Sequence, residues 1–331
     1  MNQADSGCVE IAFREVSKRY EGRPEAAVNR LSFKVPPGEI CVLIGPSGCG
    51  KTTALKMVNR LIAITDGDIT IDGRSVNALE VTQLRRGIGY VFQQIGLFPH
   101  MSVEANIGSV PRLLGWSKQR IRARAAELLS LVGLDPDADL RRYPGEFSGG
   151  QQQRIGVARA MAVDPPIMLM DEPFGAIDPI TRERLQDDFL RLHREVRKTI
   201  IFVTHDIDEA IKMGDRIAIM RDGQLVQYAT SDELLASPAN DFVASFVGAD
   251  RGLKRLRVWT LRDLTLDPAP PAGGDSLPSV EVGRSLRDAL SLLLTEGAGQ
   301  LTVTEAGKPI GTVTLEAITS AVAQDRNTAA A

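Results

Sequence analysis

An apolar run, Ile40–Ile44, leads directly into Gly45-Pro46-Ser47-Gly48-Cys49-Gly50-Lys51-Thr52-Thr53, and a helical pattern follows, with Leu55, Val58 and Ile62 three and four residues apart. This is the phosphate-loop pattern G-x-x-x-x-G-K-[ST] set between a strand and a helix. Glycines let backbone N–H groups turn inward toward phosphate oxygens, and a helix N-terminus favours an anion. Lys51 is then placed to reach the β- and γ-phosphates of a nucleotide, and Thr52 to offer its hydroxyl to Mg²⁺. A strand–loop–helix unit of this kind belongs to parallel α/β architecture.

Around this unit the pattern alternates. Residues 9–16 and 28–35 are predicted strands on either side of a polar turn with Gly22 and Pro24, and Pro36-Pro37-Gly38 marks another turn. Short apolar strands are expected at 167–170, 199–203, 216–220 and 224–228, with a long helical pattern over 179–197. Between them, 103–163 is largely helical. Ile121, Ala125, Leu128, Leu129 and Val132 form an apolar stripe there that Gly133 ends. The expectation is an α/β core with an inserted helical block.

The 331 residues suggest two domains. Composition changes near residue 250, and Pro268, Pro270, Pro271, Gly273, Gly274 and Pro278 mark a linker or exposed loop. The expected domains are 1–250, a linker or degenerate module start at 251–278, a compact strand–helix–strand–strand–helix pattern at 279–323, and a tail at 324–331. The net charge of −3 gives no basic field for nucleic acid. Cys8, Cys41 and Cys49 lack metal-ligand spacing, which points to free thiols in a reducing compartment. No apolar run reaches the roughly 18–20 residues of a membrane span. The first residues, with Asp5 and Glu10, do not read as a secretory signal. Any work at a membrane is expected to need a partner there.

Two further motifs carry chemistry. The apolar stretch 167–170 ends in Asp171-Glu172, where Asp171 is placed to hold Mg²⁺ and Glu172 to polarise a water. Ser148-Gly149-Gly150-Gln151 opens a helical pattern with Ser148 as its N-cap and two glycines that allow close backbone approach.

The order of phosphate loop, Ser-Gly-Gly-Gln motif, Asp171-Glu172 and His205 resembles the ATP-binding-cassette (ABC) ATPases over residues 9–248. The resemblance implies a P-loop core with a helical subdomain, and ATP with Mg²⁺ as cofactors. It implies that Tyr20 stacks on adenine and that Gln93, a Mg²⁺ and γ-phosphate sensor, also faces a membrane partner. It further implies that Asp178 closes the D-loop and that His205 contacts the γ-phosphate. Phe147 stands where the family's signature usually has leucine, and Gln94 beside Gln93 is a competing choice for the sensor. A head-to-tail homodimer is implied, with ATP between the loop of one copy and Ser148–Gln151 of the other.

Gln93 and Ser148 lie too close for the coiled coil of repair ATPases. One cassette is present where translation factors carry two, and no membrane helices are fused as in many exporters. Val110-Pro-Arg-Leu-Leu-Gly-Trp116 and Phe246-Val-Gly-Ala-Asp-Arg-Gly252 look like the ATPase subunits of quaternary-amine osmoprotectant importers. That implies uptake of glycine betaine, choline or carnitine through separate permease subunits, fed by a substrate-binding protein, at the cytoplasmic face of the inner membrane. A different small solute, such as an amino acid, and a non-catalytic regulatory cassette are the alternatives. Leu97, Phe98 and Met101 are candidates for permease contact or for core. Residues 279–323, best at Gly307-Lys-Pro-Ile-Gly311-Thr-Val-Thr314, resemble one α+β cystathionine-β-synthase (CBS) motif. Ala317 stands where adenosine-binding versions have an acid, so a contact between copies with a regulatory role is the expectation.

Overall fold

The computed structural model describes residues 8–92, 96–175, 177–268 and 277–328. The chain forms two compact units, Met1–Asp206 with Met213–Tyr228, and Ile207–Lys212 with Ala229–Ala331. The division at Ala229 lies earlier in the chain than the stretch that composition marks.

In the first unit, a six-stranded sheet runs β10-β9-β3-β8-β7-β6, from β3 (Ile40–Ile44), β6 (Ile88–Val91), β7 (Ile167–Asp171), β8 (Thr199–Val203), β9 (Arg216–Arg221) and β10 (Gln224–Ala229). β3, β7 and β8 are buried at every residue, which is why their sequences are unbroken apolar runs rather than alternating ones. They pair in parallel, Leu43 beside Val203 and Val203 beside Asp171, so their C-terminal ends share one edge. A second sheet, β2-β1-β4-β5, is antiparallel and holds β1 (Ile11–Lys18), β2 (Val28–Val35), β4 (Asp66–Ile71) and β5 (Arg74–Ser75). Both sheets and α1 (Lys51–Val58) share one core, with Phe13, Leu31, Leu43, Leu55, Ile69 and Leu169 in it. α2 (Val81–Arg86) precedes β6.

The helical block is α3 (Val103–Ile107), α4 (Ser109–Leu113), α5 (Lys118–Leu131), α6 (Pro136–Asp139) and α7 (Gly149–Ala160). Ser102, Ser117 and Ser148 cap α3, α5 and α7 by accepting an N–H three residues on. The apolar stripe of α5 is buried at Ile121, Ala125, Leu128 and Leu129, and Gly133 follows it with φ +70°. Asn106 is fully buried and ties the loop before α3. Its carboxamide donates to the carbonyls of Phe98, Met101 and Ser102 and accepts from Phe98 N–H. α8 (Pro179–Val196) bridges β7 and β8, one residue shorter than the sequence pattern.

The second unit contains α9 (Ile207–Met213, to Lys212), α10 (Ser231–Ala236), α11 (Asp241–Val247) and α12 (Arg251–Val258). A three-stranded sheet of β11 (Ser279–Glu281), β12 (Gln300–Glu305) and β13 (Lys308–Thr314) follows, with α13 (Leu286–Glu296) and α14 (Leu315–Thr328). β11 and β12 are parallel and β12 and β13 antiparallel. This small α+β arrangement is consistent with a CBS-like fold. Its core takes in Leu256 and Leu261 as well as Val280, Leu286, Leu301 and Val313. The module therefore recruits residues before 279. The best-matching segment, 307–314, forms β13 and the turn before it.

Candidate nucleotide site

The loop 45–52 leaves β3 at the edge where β7 and β8 also end. Two of its glycines are steric requirements. Gly45 has φ +151° and a Cβ there would lie 2.0 Å from the Met220 carbonyl oxygen. Gly50 has φ +103° and its Cβ would lie 2.3 Å from the Ala27 carbonyl oxygen. Pro46, Ser47 and Gly48 form the exposed tip. Lys51, buried, donates from Nζ to the carbonyls of Gly45 at 2.7 Å and Pro46 at 2.9 Å, so its ammonium sits inside the loop. Cys49 is buried, which limits access to its thiol, and Lys51 Nζ lies 3.6 Å from its Sγ. Thr53 is half-buried on α1 beside Thr52.

Thr52 Oγ1 donates to Asp171 Oδ1 at 2.9 Å. Burial raises the Asp171 carboxyl above its ordinary range, while the Thr52 hydrogen bond and the nearby Lys56 and Lys51 oppose that rise. A hydroxyl and a buried carboxylate side by side are the hard oxygen donors that Mg²⁺ prefers. Among the described residues no group of three or more His, Cys, Asp or Glu could hold a metal.

Glu172 follows with φ +47°, a left-handed conformation that non-glycine residues rarely adopt and that is often found where function requires strain. Its N–H donates to the Val203 carbonyl at 3.0 Å, and its Oε2 lies 3.2 Å from His205 Nδ1. The pair thus spans the ends of β7 and β8, with His205 well exposed. Tyr20, just past β1, is more than a third exposed, and the Lys18 ammonium lies 5.1 Å from its ring centre.

Ser148–Gln151 and Asp178 are elsewhere. Ser148 and Gln151 cap α7 reciprocally, at 3.0 Å and 3.4 Å. Asp178 caps α8 by accepting the Thr181 N–H, which holds its carboxyl below the ordinary range. Ser148, Gly149, Gly150, Gln151 and Asp178 share a cavity of about 250 Å³ that none of Lys51, Thr52, Asp171 or Glu172 lines. Gln93 lies outside the described residues.

A larger cavity, of about 750 Å³, includes Phe98, one of the residues expected at a permease contact. Lys56, Arg85, Arg86, Tyr90, Arg159 and Asp171 also line it. Phe98 is exposed, which favours contact over core for it, while Leu97 and Met101 are half-buried.

The ABC transporter family matches residues 28–175. The osmoprotectant import ATP-binding protein OsmV of Salmonella typhimurium is 53% identical over 309 residues, 92% of this chain and 78% of that protein. The glycine betaine uptake system ATP-binding protein YehX of Escherichia coli is 45% identical over 306 residues, 92% of this chain and 97% of that protein. The glycine betaine/carnitine/choline transport ATP-binding protein OpuCA of Bacillus subtilis is 55% identical over 241 residues, 73% of this chain but 63% of that longer protein. Among solved structures, the dimeric bacterial ABC transporter cassette MJ0796 aligns with a TM-score of 0.61 and 34% identity, covering 67% of this chain and 98% of that one. Identity of this degree, running through the whole sheet edge and on into the second unit, makes the chain a member of the ABC transporter family, an ATP-hydrolysing subunit closely related to those of osmoprotectant importers.

Proposed function

We propose that two copies of this chain bind MgATP head to tail and that its hydrolysis drives uptake of a quaternary-amine osmoprotectant through separate permease subunits. The observation that carries this reading is the division of the site. One chain presents the phosphate loop with Asp171, Glu172 and His205 at one sheet edge, and Ser148–Gln151 with Asp178 around a separate cavity. Each set is half of a nucleotide site, and a second copy supplies the complement. MJ0796, a similar cassette, is described as dimeric.

In this reading Tyr20 stacks on the adenine, and the loop N–H groups from Gly45 to Thr53 with Lys51 hold the phosphates. Thr52, Asp171 and Gln93 would hold Mg²⁺, which would supply charge neutralisation to the phosphates. Glu172 accepts a proton from the attacking water, and the Val203 carbonyl fixes its backbone. Its contact with His205 orients the imidazole toward the γ-phosphate side. Ser148, Gly149, Gly150 and Gln151 of the other copy close over that phosphate through N–H groups at the start of α7, with Asp178 beside them across the same cavity.

The 750 Å³ cavity is read as the seat of a permease segment. Phe98 is exposed at it, and the loop that carries Phe98 is fixed by Asn106. Among the described residues no helix is long and apolar enough to cross a membrane. The chain would then sit on the cytoplasmic face of the inner membrane, held by the permease and fed indirectly by a substrate-binding protein. The CBS-like motif itself is taken as residues 279–323, supported by residues such as Leu256 and Leu261 that share its core. The solute class rests on relatives named for glycine betaine, carnitine and choline. The second module is read as a contact between copies, since Ala317 offers no carboxylate to a ribose and Leu294, Ile310 and Leu315 are exposed.

Uptake of labelled glycine betaine, choline and carnitine, in source cells with wild-type protein or Glu172→Gln, tests the proposal. Uptake of at least one solute should require Glu172. Undiminished uptake of all three with Glu172→Gln would remove the osmoprotectant reading.

A further inference from the structure

α9 begins two residues after His205, and residues 207–212 group with the second unit. Its first turn is held by α12. The Lys254 ammonium, nearly buried, donates to the Val247 carbonyl at 2.7 Å and lies 3.2 Å from Asp250 Oδ1 and 3.8 Å from Asp208 Oδ1. One helical turn on, the Arg257 guanidinium lies 3.5 Å from the same Asp208 oxygen. Near the far end of α9, the Ile211 carbonyl accepts from Ser231 Oγ on α10 at 3.3 Å.

α12 is itself fixed to the small module. Arg255 donates twice to Asp232, at 2.9 Å and 3.3 Å, and Trp259 Nε1 donates to the same carboxylate at 2.8 Å. Leu256 packs in the module core with Val280 and Leu286, and the Trp259 carbonyl accepts the Leu286 N–H at 2.8 Å. One short helix therefore has one face in the module core and two cations on the turn that follows His205.

We infer that Lys254 and Arg257 are positioning residues for hydrolysis. They hold Asp208, Asp208 holds the start of α9, and α9 sets the backbone that leads back to His205. A shift of α12 imposed by the module is passed along this chain of packed and paired groups to the catalytic edge. The inference rests on the reading of His205 as the γ-phosphate contact.

The test is steady-state MgATP turnover by the full-length protein, with Arg257→Gln and Asp208→Asn made singly and together, in wild-type and His205→Ala backgrounds. Arg257 is chosen because its side chain is 39% exposed, so its loss should leave the fold standing, with Tm as the check. Each single variant should lower kcat about three- to tenfold with little change in KM. The double variant should be no worse than the worse single one, Arg257→Lys should restore most of the rate, and Arg257→Gln should add nothing to His205→Ala. If His205→Ala is slow but Arg257→Gln keeps its kcat, or if the losses add independently, the inference is overturned and the nucleotide-site reading stands. Wild-type turnover by His205→Ala overturns both.

Discussion

Thr52 and Asp171 are joined by a 2.9 Å hydrogen bond between groups that lie 119 residues apart in the chain. The bond ties the start of α1 to the end of β7 and sets two hard oxygen donors beside the loop lysine. Parallel pairing makes this possible, because strands whose C-terminal ends share an edge bring their following residues together.

Replacing Asp171 separates its chemistry from its structural cost. Burial disfavours the carboxylate, so charge at this position weakens the nucleotide-free fold at neutral pH. Asp171→Asn should lower MgATP turnover at least about 100-fold. Its Tm without nucleotide should equal or exceed that of the wild type. A large fall in Tm would show that the carboxylate is needed for folding.

The loop glycines should differ in their tolerance. Gly45→Ala and Gly50→Ala drive a Cβ against backbone oxygens at 2.0 Å and 2.3 Å, whereas Gly48, with φ +82°, faces open space. The first two should cost more than about 2 kcal/mol and abolish binding of a fluorescent ATP analogue. Gly48→Ala should cost about 1–2 kcal/mol, the ordinary penalty of a left-handed alanine. Denaturant midpoints measure the ranking, and equal losses at all three would refute it.

Burial pushes the Cys41 thiol up to about 12, so the native protein keeps it neutral and unreactive at pH 8. Cys49 is buried as well, while Cys8 is only partly covered. A disulfide reagent at pH 8 should therefore modify Cys8 first, and the other two only on unfolding. The raised value also fixes a sign. The neutral thiol favours the fold below about pH 9, and that contribution is lost as pH rises toward about 12. Alkaline denaturation of wild type against Cys41→Ala measures the difference, which should narrow across that window.

Much of this was legible in the residues. Strands buried on both faces announce themselves as apolar runs, so β3, β7 and β8 fall within a residue of their expected bounds. Gly45 to Thr52 carries its own geometry. The left-handed backbone of Glu172 was not legible, because it depends on how β7 and β8 meet. Nor was the pairing of α10 with α12, which runs through Asp232 with Arg255 and Trp259, because apolar periodicity does not report contacts between polar side chains. The separation of Ser148–Gln151 from the phosphate loop was implied by resemblance only, since spacing along a chain says nothing of which cavity a residue lines.

Glu172→Gln should reduce turnover by about 10²–10⁴-fold, the range for loss of a general base, with ATP still bound. Retained nucleotide after gel filtration, beside a lost rate, is the expected pair of results. A wild-type rate would take the role from Glu172.

The central claim, that each nucleotide site is built from two chains, is tested most directly by mixing two inactive variants. Lys51→Ala spoils the loop half and Ser148→Arg the other half. Each alone should turn over MgATP at least about 100-fold slower than wild type. Mixed in equal amounts, half of the pairs carry one intact site, so turnover should recover to about a quarter of the wild-type rate. A mixture as slow as its components, or a Ser148→Arg protein that hydrolyses ATP normally by itself, would contradict the account.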